Sequence, residues 1–251
     1  MTTGKTILKI LKKLWDLIVI MISMAGYVPK NATTIRTIAI LASFIFSLYL
    51  GRYQPMNSSL AVAYFIISEV FYLGFISSVL TENGLRHWFM KRWGGEQTGY
   101  RAYETVLGFL FFHNGVSIGY IASSTPESLF QWGDKNLILI IAALIFICGF
   151  AIKVWAAKVV TISIYYWKDM FLGRKICEFV VTGPYKYFSN PMYGIGQLPA
   201  YATAIWYGSK YGLAAAFINQ FLIFSFYFLV EKKFIRRIYQ ANNIQSVSGG
   251  K

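Results

Sequence analysis

Residues 211–230 read YGLAAAFINQFLIFSFYFLV and contain no Asp, Glu, Lys or Arg. A helix needs about 20 predominantly apolar residues to cross a bilayer, so this stretch predicts a membrane span. Residues 105–126 and 187–209 also lack these charged residues. Of the 251 residues, 56% are apolar and 14% are charged, against about 45–50% and about 25% in soluble domains. The chain is therefore predicted to be an all-α integral membrane protein rather than a water-soluble enzyme.

The apolar runs predict a polytopic membrane helical bundle with about six transmembrane helices. These are residues 37–50, 60–80, 103–123, 137–157, 191–207 and 211–230. Placing the N-terminus in the cytoplasm puts most basic residues in cytoplasmic loops, as the positive-inside rule requires. The opposite loops keep only Arg52, Lys135 and Lys210. We expect both termini in the cytoplasm, with the protein in the plasma or inner membrane if bacterial and the endoplasmic reticulum if eukaryotic.

The N-terminal segment, residues 1–28, is amphipathic. Its apolar residues recur at helical spacing from Ile7 to Ile18, and the opposite face carries Lys5, Lys9, Lys12, Lys13 and Asp16. An amphipathic helix lying in the membrane interface fits this pattern. The alternative is that residues 17–28 are the apolar region of a signal peptide.

The formal net charge is +14. In a soluble chain such a charge suggests nucleic acid, but here the basic residues lie between apolar runs, so we expect anionic lipid at the cytoplasmic face and no nucleic-acid partner. Two cysteines and two histidines predict neither a disulfide framework nor a metal site. We predict a single membrane-embedded domain over residues 1–240 and a flexible tail over residues 241–251. The oligomeric state is left open.

The most informative stretch reads TGPYKYFSNPMYGIG, residues 182–196. Gly183 and Pro184 cannot continue a helix, whereas Asn190 before Pro191 suits the opening of the next one. A helix beginning at Pro191 would offer unpaired N–H groups to a carboxylate.

Three tyrosines in this stretch, Tyr185, Tyr187 and Tyr193, would surround such a ligand with aromatic faces. Aromatic faces attract cations, including a sulfonium or a methylated ammonium. The other interpretation is an aromatic belt at the membrane interface, with a proline-kinked entry into a helix.

The order of these residues resembles the G-P-Y-[KR]-Y-x-x-[HN]-P-x-Y signature of integral-membrane methyltransferases. That group includes phosphatidylethanolamine N-methyltransferases and isoprenylcysteine carboxyl methyltransferases. Two further stretches resemble its lipid branch: YWKDMF at 166–171 resembles Tyr-Trp-Gly-Asp-Phe-Phe, and VEKKFIRRIY at 230–239 resembles a closing Glu-x-x-x-Ile-x-x-x-Tyr pattern. Lys168 stands where glycine is usual, and Lys232 stands where a second glutamate often follows. The resemblance covers residues 151–240.

The resemblance implies that S-adenosylmethionine binds between the last two spans, under the cytoplasmic loop, and that residues 151–240 form the catalytic portion. Glu231 would hold the cofactor's amino group or ribose hydroxyls, or would otherwise be a solvated helix end. Gly194 and Gly196 would let the cofactor approach the backbone, or would serve close helix packing. The cofactor-binding residues implied are Tyr185, Tyr187, Asn190, Pro191, Tyr193, Gly194, Gly196 and Glu231.

An amine acceptor is mostly protonated at neutral pH, so methyl transfer to it requires a proton acceptor. The acidic residues on the predicted cytoplasmic side are Asp169, Glu178 and Glu231. Asp169 lies within the 166–171 motif, and with Glu231 it is our candidate catalytic residue. Its alternative role is a surface ion pair with Lys168 or Arg174.

Glu69 lies inside a predicted span, where a carboxylate is costly and by default a functional candidate; the alternative is pairing with His113 or Asn114. For the whole chain, the leading function is methylation of the amine of phosphatidylethanolamine or its partly methylated derivatives. The alternative is carboxyl methylation of a prenylcysteine, or methylation of another small lipophilic acceptor. A third reading is a non-catalytic lipid-binding or scaffold protein of the membrane.

Overall fold

The computed structural model describes residues 2–52, 58–129, 134–176 and 181–240. Glu178 and the predicted flexible tail at 241–251 lie outside these ranges. The described residues are mostly helical and contain no strand, as the sequence predicted. The helices are α1 (Thr2–Met24), α2 (Thr34–Arg52), α3 (Ser58–Leu80), α4 (Arg86–Arg92), α5 (Glu96–Ser124), α6 (Lys135–Tyr165), α7 (Lys168–Leu172), α8 (Leu198–Trp206), α9 (Lys210–Phe226) and α10 (Lys232–Ile235).

Four apolar stretches are long enough to cross a membrane, which makes this a helical membrane bundle. They are Ser58–Leu80, Glu96–Ser124, Lys135–Leu172 and Lys210–Ile238, and they coincide with four of the six predicted spans. A shorter apolar helix, Thr34–Leu50, covers a fifth. The last of these stretches continues beyond α9 through a π-helical turn (Tyr227–Glu231), α10 and a second π-helical turn (Arg236–Gln240).

The predicted span at residues 191–207 is helical only in its second half. The chain crosses from Asn190 as a series of turns, forms a short 3₁₀ helix at Ile195–Gln197, and enters α8 at Leu198. The expected helix start at Pro191 is therefore wrong. Gly194 has φ −83° and ψ −107°, which no helix contains. At membrane depth, irregular backbone is tolerated only where it is buried in protein or lines a cavity.

The N-terminal segment is a single helix, as predicted, and its C-terminal end packs against α6. The Tyr166 hydroxyl donates a hydrogen bond to the Ser23 carbonyl at 2.7 Å. Beyond α1, a buried ion pair between Arg36 and Glu104 (3.0 Å) joins α2 to α5. Because removing one partner of such a pair leaves a buried charge alone, this contact fixes α2 against α5.

Glu69 accepts hydrogen bonds from the side-chain amides of Asn114 (2.8 Å) and Asn219 (2.7 Å). The predicted pairing with Asn114 is confirmed, and Asn219 of α9 is a third member that spacing along the chain did not reveal. The other predicted partner, His113, contacts Tyr64 and Ser43 instead. This cluster ties α3, α5 and α9 together within the apolar part of the bundle.

Candidate active site

A cavity of about 170 Å³ lies at one end of the bundle, between α6, α7, the 183–197 connection and the end of α9. Aromatic side chains form much of its wall, among them Tyr72, Phe111, Tyr165 and Trp167. Five of the residues singled out in the sequence also line it: Asp169, Tyr185, Asn190, Tyr193 and Glu231. They come from three stretches separated by up to about 60 residues, so the fold brings them together.

Glu231 is held inside the cavity by a hydrogen bond from the Tyr193 hydroxyl, 2.8 Å from Glu231 Oε2. Trp167 lies close enough to interact with the same carboxylate. Glu231 ends the π-helical turn Tyr227–Glu231, and such turns inside α-helices occur frequently at functional sites. Glu231 is therefore an oriented group of the cavity wall rather than a solvated helix end.

The backbone around Tyr193 is fixed by side-chain hydrogen bonds. Asn190 Oδ1 accepts from the Tyr193 N–H at 3.2 Å, while the Gln220 amide donates to the Tyr193 and Gly194 carbonyls at 2.8 and 3.2 Å. Tyr201 in turn donates to Gln220 Oε1 at 2.6 Å. The N–H groups of Tyr193, Gly194 and Gly196 are thus bonded within the turn and are not offered to a carboxylate.

Tyr185 presents a hydroxyl that is buried and has no hydrogen-bond partner in the described part of the chain. Burial first, and the negative charge of Glu231 second, raise the pKa of this hydroxyl above its ordinary value. It therefore remains a neutral donor and acceptor. An unsatisfied buried hydroxyl beside a cavity is costly, and a polar group of a ligand would satisfy it.

Asp169 is buried, with 4% of its surface exposed, and Oδ2 accepts from the Ile176 N–H at 3.3 Å. The expected alternative, a surface ion pair with Lys168 or Arg174, is wrong. Arg174 pairs with Glu96 at 2.6 Å, and the Lys168 ammonium lies over the Tyr100 ring. The backbone turn before α7 buries Asp169, because Trp167 adopts a left-handed conformation (φ 51°) and redirects the chain.

The remaining predicted cofactor residues lie around the cavity rather than in its wall. Tyr187 is 68% exposed, and Pro191 is buried within the connection. A Cβ on Gly194 would lie 3.1 Å from the Asn190 carbonyl, and one on Gly196 would lie 2.9 Å from the Pro191 carbonyl. Both glycines thus permit the tight turns of the connection.

Sequence reasoning missed Lys153, which lines the cavity from α6, and the wall residues of α3 and α5. Lys153 follows an apolar run and precedes the motif region by more than ten residues, so no motif includes it. Its one signal is that of a cation inside a predicted span, which is costly by default.

The fold and this cavity define a helical membrane protein with a site of carboxylates and aromatic rings near one end of the bundle. Residues 137–242 match the family model described as phospholipid methyltransferase. This segment is therefore similar to phospholipid methyltransferases, and the resemblance seen in the sequence is confirmed for it.

A phosphatidylethanolamine N-methyltransferase of Eremothecium gossypii is 30% identical to this chain over 96 residues. The match covers 38% of this chain and 11% of that relative. No solved structure shows a significant match. The comparisons therefore support phospholipid methyl transfer in general terms.

Proposed function

We propose that the protein transfers a methyl group from S-adenosylmethionine to the amine of phosphatidylethanolamine or of its partly methylated derivatives. The observation that carries this proposal is the shared cavity: residues chosen from three sequence motifs, Asp169, Tyr185, Asn190, Tyr193 and Glu231, all line it. The family match of residues 137–242 and the name of the Eremothecium gossypii relative support it.

The residues present fit this cofactor. The unpartnered Tyr185 hydroxyl can bond a polar group of the ligand, and Glu231 can accept from an amino group or from ribose hydroxyls. Tyr165, Trp167 and Tyr193 offer aromatic faces, which attract a sulfonium. When bound, S-adenosylmethionine supplies an electrophilic methyl group on a positively charged sulfur.

The chain's own residues then have two tasks: to align donor and acceptor, and to take a proton. Alignment and exclusion of water suit the aromatic wall. A phospholipid amine is mostly protonated at neutral pH, as a lysine amine is. Its nitrogen must lose a proton before its lone pair can form the new C–N bond. Asp169, a buried carboxylate in the cavity wall, takes that proton in this proposal.

We also propose that the end of the bundle bearing the cavity faces the cytoplasm, with both termini on that side and with anionic lipid around it. Basic residues lie at that end: Arg174 pairs with Glu96 and Arg237 pairs with Glu82. Arg86 donates a hydrogen bond to the Met170 carbonyl at 3.0 Å. The positive-inside tendency favours this orientation. A cytosolic cofactor would then reach the cavity directly.

The test supplies membranes containing the protein with methyl-labelled S-adenosylmethionine and phosphatidylethanolamine, and separates the labelled lipids. We expect label in mono-, di- or trimethylated phosphatidylethanolamine, lost in a Tyr193→Ala/Glu231→Ala double variant. The matched control is Tyr207→Ala/Glu127→Ala. Both of its positions are exposed and lie at the opposite end of the bundle.

Unlabelled lipid with retained cofactor binding would refute the amine acceptor and direct the assay to prenylcysteine or another small lipophilic acceptor. Absence of cofactor binding to the folded protein would refute the hypothesis that it is an enzyme and would favour a lipid-binding or scaffold role.

A further inference from the structure

A second cavity, of about 390 Å³, adjoins the first. It lies deeper in the bundle, between α5, α6, α8 and α9, and its wall is mostly apolar or small. Representative wall residues are Gly115, Ile118, Gly119, Pro199 and Ala200. The two cavities share six wall residues, namely Tyr72, Phe111, Lys153, Tyr165, Gln197 and Ile223.

Lys153 is the one charged residue that lines the second cavity within the described part of the chain. It also lines the first cavity, where Asp169 and Glu231 are the other charged residues. Its side chain is partly buried, and its stem packs on the 183–197 connection: a Cβ on Gly196 would lie 3.3 Å from Lys153 Cγ. The ammonium group therefore stands at the junction of the two cavities.

This ammonium group makes no hydrogen bond or ion pair with any residue that the structure describes. An unpaired cation inside a membrane bundle is costly, and such residues mark ligand or ion sites by default. Lys153 lies five residues from the exposed Lys158, about 7.5 Å along the helix axis. Lys153 therefore lies between the basic end of the bundle and the deeper second cavity.

We propose that Lys153 binds the phosphate of the lipid acceptor, with an acyl chain of that lipid in the second cavity; this rests on the proposed function. A phospholipid with an amine headgroup carries, in order, an amine, a phosphate and acyl chains. The protein presents the matching order: the carboxylate of Asp169, the Lys153 ammonium, and a mostly apolar cavity. The carboxylate of the cofactor is a second source of the same anion chemistry, but it carries no apolar chain for the second cavity.

The first experiment compares Lys153→Met and Lys153→Arg with the matched control Lys158→Met, which removes a charge from an exposed position of the same helix. Each variant is reconstituted in nanodiscs. The readouts are KM for phosphatidylethanolamine, cofactor Kd by calorimetry, and retention of phosphatidylcholine against diacylglycerol by native mass spectrometry. Diacylglycerol has the chains but lacks the phosphate, and retention does not depend on activity.

We expect Lys153→Met to raise KM about tenfold to a hundredfold, as loss of a hydrogen bond to a charged group implies. We also expect it to abolish the preference for phosphatidylcholine over diacylglycerol. Lys153→Arg should retain that preference. None of the three variants should change the cofactor Kd. A weaker cofactor Kd with unchanged lipid preference would assign the anion to the cofactor and overturn the proposal. Unchanged lipid preference and unchanged Kd would overturn it as well.

A second variant pair tests the acyl chain without touching the lysine. A Cβ on Gly119 or on Gly74 meets no atom within 4 Å, but only Gly119 lines the second cavity. Gly119→Leu should reduce phosphatidylcholine retention, whereas Gly74→Leu should not. Equal phosphatidylcholine retention in both variants would contradict the placement of the acyl chain in this cavity.

The outcomes also separate this inference from the proposed function. If the wild-type protein methylates no phosphatidylethanolamine while phosphatidylcholine retention still depends on Lys153, the acceptor assignment fails and the lipid site stands. If methylation occurs with a KM and a lipid retention that Lys153→Met leaves unchanged, the lipid site fails and the enzyme assignment stands.

Discussion

Removing the hydrogen bond from Tyr193 to Glu231 tests whether Tyr193 orients Glu231 in the candidate site. The two oxygens are 2.8 Å apart, and the Tyr193 side chain is only 9% exposed. A hydrogen bond to a charged group contributes about 1.5–3 kcal/mol. If this bond orients Glu231 toward the cofactor, Tyr193→Phe should weaken cofactor binding by up to that amount, which is a factor of about 10 to 150 in Kd.

The assay is calorimetric titration of S-adenosylmethionine into protein reconstituted in nanodiscs, with thermal denaturation to verify that each variant is folded. Tyr207→Phe is the control, because Tyr207 is 40% exposed at the opposite end of the bundle. Glu231→Gln should weaken binding at least as much as Tyr193→Phe, since it removes the charge itself. An unchanged Kd in Tyr193→Phe alone would show that the bond does not position Glu231. An unchanged Kd in both variants would remove Glu231 from the cofactor site.

Three further predictions concern the helix packing, the signature and the proton acceptor. Gly149→Ala would place a Cβ 2.6 Å from Leu198 Cβ and should lower stability by about 1–3 kcal/mol, measured by thermal denaturation in detergent against Gly74→Ala, whose Cβ meets nothing. Tyr187→Ala should leave cofactor Kd within about twofold, because Tyr187 is 68% exposed. A tenfold weaker cofactor Kd would show that Tyr187 contributes to the site. Asp169→Asn should lower kcat/KM about 10²–10⁴-fold at pH 7. In that variant activity should recover as pH rises. The neutral fraction of the lipid amine grows about tenfold per pH unit below its pKa, which for a lysine amine is about 10.4. A pH profile matching wild type would contradict the role of Asp169.

Much of the candidate site was predictable because short motifs carry local chemistry. Tyr185, Asn190 and Tyr193 lie in one signature, and Glu231 lies in another, so their residue types and spacing were sufficient to select them. Tyr187 shows the limit of that reasoning: it belongs to the same signature, yet it is exposed and does not line the cavity. Which tyrosine of a turn points inward depends on backbone dihedral angles that the motif does not state.

The prediction of a continuous helix over residues 191–207 was wrong for a related reason. Hydropathy measures only whether a segment is apolar, and these residues are apolar enough. Their backbone nevertheless leaves the helical path at Gly194 (φ −83°, ψ −107°). There the Pro191 carbonyl accepts from the N–H of Gly196, five residues on, instead of the N–H four residues on that a helix would use. Long-range support from the Gln220 amide holds that conformation, and hydropathy contains no such information.

The amino-acid sequence alone determined the all-α membrane class, four of the spans, the amphipathic N-terminal helix and the residues of the signature, because apolar run length and local motifs depend on neighbours along the chain. Only the tertiary structure decided that Asp169 is buried, that Glu231 bonds Tyr193, and that Lys153 stands at the junction of two cavities. These facts depend on contacts between residues tens of positions apart. Such contacts follow from how helices pack, and no periodicity along the chain encodes them.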